Sequence, residues 1–169
     1  MLQVDLRELF RGPVDTTADV APDDPLFAGL DVDLAAPVRV AGRLQGTGED
    51  RYYWSGTVQT TIRTACRRCL KDLVLPVAAE VGALFSQEPD ADDDPDAYPL
   101  PGDAVMVDVT PAVREELMLA VPRFALCRPD CRGLCPRCGQ DLNAGRCDCP
   151  KPADPRWAAL AALKPKQGD

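Results

Sequence analysis

Histidine is absent from the 169-residue chain. The absence removes the side chain that most often moves protons at neutral pH, and a frequent nitrogen ligand for metals. A transition-metal site here must therefore be built mainly from thiolates. Aromatic residues make up 5% of the sequence against 46% hydrophobic residues overall, so the core is expected to be mostly Val, Leu and Ala. No apolar run approaches the roughly 20 residues of a membrane-spanning helix. The opening Met1-Leu-Gln-Val-Asp5-Leu-Arg-Glu-Leu-Phe10 carries acids and lacks the basic tip and apolar run of a secretory leader. A cytoplasmic protein is expected. Neither a phosphate-binding glycine loop nor a nucleophile motif occurs.

Cysteine is what the chain has in excess. Six of the eight cysteines fall between Cys127 and Cys149, and the other two form Cys66-Arg-Arg-Cys69. Cys135-Pro-Arg-Cys138-Gly139 is a CxxC turn whose glycine permits a positive φ, so that amides can point back at the sulfurs. Cys147-Asp-Cys149 supplies a second pair, with Gly145 just before it. Cys135, Cys138, Cys147 and Cys149 are expected to bind one zinc in a closed four-thiolate site. Cys66, Cys69, Cys127 and Cys131 are left over, and their count suggests a second site joining two distant parts of the chain. Reduced free thiols, an iron–sulfur cluster or a disulfide framework are the competing readings.

Charge is unevenly spread. The net charge is −8, a poor overall match for nucleic acid. Residues 86–103 hold seven acids and no base, whereas residues 63–71 hold four bases and no acid. Residues 123–169 hold nine bases and five acids. Both cysteine segments thus sit in locally basic sequence.

Periodicity predicts an α+β protein: an antiparallel β-meander, a packed helix and a C-terminal cysteine-rich zinc knuckle. In residues 1–12, Val4, Leu6 and Leu9-Phe10 are expected to dock on the core. Residues 13–35 read as mostly irregular, with Leu26, Phe27 and Leu30 as a short helical anchor. Val38–Leu44 alternates as a strand and 45–50 as a turn. Tyr52–Cys66 and Leu73–Phe85 read as paired strands, with the CxxC at their hairpin tip. Residues 86–103 form an acidic, proline-rich loop expected to be mobile. Its spaced aspartates lack the glycine and glutamate of a calcium loop. Ala104–Asp108 reads as a short strand. Thr110-Pro111 starts a helix, with Thr110 as hydroxyl N-cap and Val113, Leu117 and Ala120-Val121 on its core face. A second short helix is expected after Asp154-Pro155, carrying Trp157, Leu160 and Leu163. The implied organisation is a β-rich core domain, 1–122, followed by a zinc-binding segment, 123–169.

The run Leu126-Cys127 through Gly133-Leu-Cys135-Pro-Arg-Cys138-Gly139, Asp141-Leu-Asn143, Gly145 and Cys147-Asp-Cys149 resembles the C-terminal cysteine cluster of the YceD family. The basic surroundings of Cys66 and Cys69, the acidic loop, and Asp154-Pro-Arg-Trp157 with Leu160, Leu163 and Lys164 extend the resemblance over roughly residues 60–164. That family is associated with accumulation of large-subunit ribosomal RNA in bacteria and plastids. The resemblance implies a non-catalytic factor in large-subunit biogenesis that binds precursor RNA or a basic ribosomal protein. The expected RNA contacts are Arg63, Arg67, Arg68 and Lys71 at the hairpin tip and Arg128, Arg132, Arg137 and Arg146 around the knuckle, converging on one face. The acidic loop would compete for that face or hold a basic protein. A zinc-stabilised protein–protein adaptor without RNA contact is the alternative. An enzyme acting through CxxC redox chemistry is disfavoured, because the strand-hairpin setting differs from that of thioredoxin-like motifs. No membrane and no small-molecule substrate are expected.

Overall fold

A computed structural model describes residues 2–48, 50–88 and 94–150. Its centre is a long hairpin. Strand β4 (Val38–Gly48) pairs antiparallel with β5 (Arg51–Ala65), which pairs along its whole length with β6 (Asp72–Ser86). On β5 and β6 every second residue faces the core: Trp54, Val58, Thr60 and Ile62 on one strand, Val77, Val81, Ala83 and Phe85 on the other. The two-residue repeat predicts this face correctly, because successive side chains of a strand point to opposite sides.

Strand β2 (Val14–Val20) forms the outer edge and pairs antiparallel with β4. This corrects the reading of residues 13–35 as mostly irregular. Val14, Thr16, Ala18 and Val20 point inward while Asp15, Thr17 and Asp19 are exposed. Asp15 and Asp19 meet Arg43 and Arg39 across the strand pair, at 2.6 and 3.4 Å. Periodicity does not mark this strand, because its inward face is small and partly polar. The two-residue strand β3 (Asp33–Leu34) adds to β5 beyond the start of β4.

Trp54 lies over the Gly42–Gly56 pair of β4 and β5. A Cβ on Gly42 would fall 2.3 Å from its ring, and one on Gly56 2.6 Å from the Ala41 carbonyl. Only bare backbone leaves room for the indole. Its N–H reaches Thr16 Oγ1 on β2 at 2.9 Å, so the largest buried side chain among the described residues has its polar atom satisfied.

The meander is not purely antiparallel. After the acidic segment, β7 (Ala97–Pro99) returns beside β6 in parallel register. Tyr98 stacks on Phe85 with centroids 5.2 Å apart and donates to Glu115 at 2.6 Å. The end of the predicted mobile loop is therefore anchored, and the sheet is mixed. Residues 89–93, with three of its seven acids, lie outside the described residues, as does the predicted terminal helix.

A separate ladder joins β1 (Gln3–Asp5) to β8 (Met106–Asp108). Helix α1 (Thr110–Ala120) then packs on the core face with Ala112, Val113 and Leu117 buried. Its N-cap is Val109, without a side-chain cap bond; Thr110 is already helical, and its N–H donates to Asp108 at 2.9 Å. The carboxylate replaces the predicted hydroxyl cap. Leu6 and Leu9 pack against the core as expected, but Phe10 is 93% exposed, because the turn Leu6–Arg11 carries it to the outer side. Strand β4 also runs on to Gly48, shortening the predicted turn.

Candidate metal centres

The β5–β6 hairpin ends in the first CxxC. Cys66 closes the turn by donating its N–H to Lys71 and by accepting, through its carbonyl, the N–H of Leu70, both at 2.8 Å. Leu70 is held at φ 60°, in the left-handed region that Leu rarely enters. The second CxxC repeats the device: the Gly139 N–H donates to the Cys135 carbonyl at 2.9 Å, with Gly139 at φ 73°. The two turns share one geometry. In one the left-handed residue is glycine; in the other it is an exposed leucine.

The cysteine segment docks on the hairpin tip through backbone and arginine contacts. Arg67 N–H donates to the Ala125 carbonyl at 2.9 Å, and Leu134 N–H to the Arg68 carbonyl at 3.0 Å. The Arg68 guanidinium binds the carbonyls of Cys131 and Pro129 at 2.8 and 3.3 Å.

This docking gathers the thiols into two groups of four. Cys66, Cys69, Cys127 and Cys131 have sulfurs all within 4.8 Å of one another, as do Cys135, Cys138, Cys147 and Cys149. Cys66 and Cys131 sulfurs stand 3.8 Å apart, and those of Cys69 and Cys127 3.7 Å. All eight thiols are free, and these separations are far beyond a disulfide bond of about 2.05 Å. A tetrahedral zinc with Zn–S bonds of about 2.3 Å places its sulfurs about 3.8 Å apart. The donor set and spacing fit a closed tetrahedral ion at each group.

Backbone amides favour thiolate at one member of each group. The thiol of Cys66 is held down at about 6, chiefly by the backbone N–H of Cys127. That of Cys135 is likewise held at about 6, by the N–H groups of Cys138 and Arg137. Burial pushes Cys127 up to about 12, and the side chain of Cys138 pushes Cys149 up to about 12. One anion per group is supported by the fold, and Cys127 and Cys149 need a cation beside them to ionise.

The groups differ in setting. Cys66 and Cys131 are buried between hairpin and knuckle, whereas Cys138 is exposed. Asn143 links them. Its Nδ2 donates to Cys131 Sγ at 3.5 Å and to Asp141 at 2.6 Å, and its Oδ1 accepts from Arg132 N–H at 2.8 Å and from the Arg128 guanidinium at 3.0 Å. A residue from the second knuckle thus supports a sulfur of the first group. The sequence carried Asn143 in the run Asp141-Leu-Asn143, but only the fold gives it a role.

The eight predicted basic residues divide by what they touch. Arg63 pairs with Asp33 at 3.1 Å, and Arg128 with Asp130 at 3.3 Å. Arg68 is committed to the knuckle carbonyls, while the Arg67 guanidinium lies 4.1 Å above the Phe124 ring centroid. Lys71, Arg132, Arg137 and Arg146 are exposed.

No solved structure matches this chain. A mycobacterial relative, the uncharacterized protein Rv2926c of Mycobacterium tuberculosis, is 31% identical over 117 residues, 68% of this chain and 56% of the relative. The chain thus spans just over half the length of that relative. The uncharacterized protein YlbN of Bacillus subtilis is 30% identical over 143 residues, 82% of this chain and 80% of the relative. A large ribosomal RNA subunit accumulation protein YCED homolog 1, chloroplastic, from Zea mays is 25% identical over 82% of this chain and 53% of its own length. Residues 54–164 match the model described as large ribosomal RNA subunit accumulation protein YceD. That span begins at Trp54 and takes in all eight cysteines, and the chain belongs to the YceD family.

Proposed function

We propose that this protein is a non-catalytic factor supporting accumulation of large-subunit ribosomal RNA, and that it binds precursor RNA through the metal-braced hairpin tip and knuckle. The observation that carries the reading is the family match itself, which covers this tip and knuckle. Zinc at the two thiolate groups would act as a structural brace. Four sulfurs leave no open position for a reacting water, so the ion's contribution is rigidity and charge balance. The chain's own residues would make the contacts. Arg132, Arg137 and Arg146 have no side-chain partner among the described residues and are exposed, so their charges are available to phosphate.

The test is affinity for large-subunit RNA fragments across a salt series. Phosphate contacts make log affinity fall linearly with log salt, at about 0.9 per contact on a duplex and 0.7 on a single strand. Arg132→Glu, Arg137→Glu and Arg146→Glu together should weaken binding and flatten the slope at unchanged zinc content. Arg68→Glu is unsuitable, because Arg68 holds the knuckle to the tip. Wild-type binding that is absent or indifferent to salt would leave the protein-adaptor reading in its place.

A further inference from the structure

We propose that Phe124, backed by Arg67, is a stacking platform for an unpaired base of single-stranded RNA. The inference rests on the RNA-binding reading above and goes further, naming the point of contact and the form of nucleic acid. Phe124 is 64% exposed and lies outside the hydrophobic core of the described residues. The Arg67 guanidinium covers the ring at 4.1 Å from its centroid, leaving much of the ring open to solvent. Both partners are held in place from below. Arg67 N–H binds the carbonyl of Ala125, the buried residue next to Phe124, and Cys66 and Cys127 flank the pair within the first thiolate group. The backbone beneath the platform is therefore fixed before any ligand arrives, which lowers the entropy cost of binding.

The surroundings favour nucleic acid over an apolar partner. Arg123 precedes the ring and is exposed, and Lys71 ends the same turn as Arg67. Residues 63–71 contain no acid. An exposed ring under a guanidinium presents a π face and a cation together, the pairing used to stack bases and hold their backbone. Leu70, in the left-handed region on the same turn as Arg67, is also exposed. A duplex buries its base faces, so the contact would select unpaired RNA.

Phe124→Leu removes the π face and keeps an apolar side chain, with Arg67 and all eight cysteines untouched. Anisotropy of a labelled single-stranded uridine dodecamer, compared with an RNA duplex of equal length, gives the readout. Zinc content and thermal melting confirm the fold. Wild type should prefer the single strand. The variant should lose about tenfold or more in affinity for it, and little for the duplex, with its salt slope unchanged because no phosphate contact is lost. Phe124→Trp should restore the affinity. If Phe124→Leu binds the single strand as wild type does, on a wild type that binds with steep salt dependence, the platform is wrong and the RNA reading stands. If wild type binds neither RNA, both fall together.

Discussion

Gly133 lies flat against the backbone of Arg68: a Cβ at Gly133 would sit 2.7 Å from the Arg68 carbonyl oxygen. That carbonyl accepts the N–H of the next residue, Leu134, at 3.0 Å. Gly133 also has φ 75°, so its place demands glycine twice, for conformation and for space. The contact is where the two cysteine turns, 69 residues apart in sequence, become one unit.

Gly133→Ala should therefore separate them. Backbone strain alone costs of order 1–3 kcal/mol, and the close approach adds to it. A lower melting temperature and easier loss of metal from the first group are expected, measured by calorimetry and by metal competition with a chelator. A melting temperature equal to wild type would refute the role given to this contact.

Leu70 should respond in the opposite direction. Its left-handed conformation costs roughly 1–2 kcal/mol for a residue with a Cβ, and its side chain is 65% exposed, so little packing is lost with it. Glycine's extra freedom in the unfolded chain offsets about 0.5–1 kcal/mol of the relief. Leu70→Gly is expected to leave stability unchanged or raise it by up to about 1.5 kcal/mol, as read from urea unfolding. Destabilisation well beyond that range would mean that the leucine side chain supports the fold.

The two thiolate groups should lose metal independently. Cys138→Ser is expected to remove about one zinc equivalent and loosen the knuckle while the hairpin tip stays joined. Cys131→Ser should also remove one equivalent, and should cost more stability, because Cys131 is buried between knuckle and tip. Native mass spectrometry with metal analysis gives the stoichiometry, and melting curves give the order. Full metal content in Cys138→Ser would overturn the assignment.

The metal-free protein should show a pH signature of its thiols. Cys66 and Cys135 are lowered from 9.0 to about 6, so their contribution to stability is complete above pH 9 and disappears as pH falls through about 6. Cys127 and Cys149 are raised to about 12, so theirs is complete below pH 9 and disappears as pH climbs toward 12. As far as the cysteines decide it, urea resistance should rise from pH 6 toward 9 and decline above. Cys66→Ser and Cys135→Ser together should remove the rise. Zinc needs all four thiolates of a group, so its affinity should also fall steeply in acid.

The strands β4, β5 and β6 were legible because hydrophobic periodicity is a local property. Alternation from Val38 to Phe85 sets which side chains face inward wherever the sheet lies. The CxxC spacing likewise declares a metal-gripping turn, since two thiols two residues apart need only local backbone to converge. Composition excluded histidine chemistry outright. Edge strand β2 was less legible, because a face of Val14, Thr16, Ala18 and Val20 becomes a core face only when Trp54 crosses the glycine pair to reach Thr16. Tertiary structure alone decided the rest. Parallel pairing of β7 depends on Tyr98 finding Phe85 and Glu115, and the exposure of Phe124 depends on where Ala125 is fastened. The meeting of Cys66 with Cys131 spans 65 residues, and no local pattern carries it. It follows from the docking of knuckle on hairpin tip, where the Arg68 carbonyl meets Gly133, the only kind of residue that fits there.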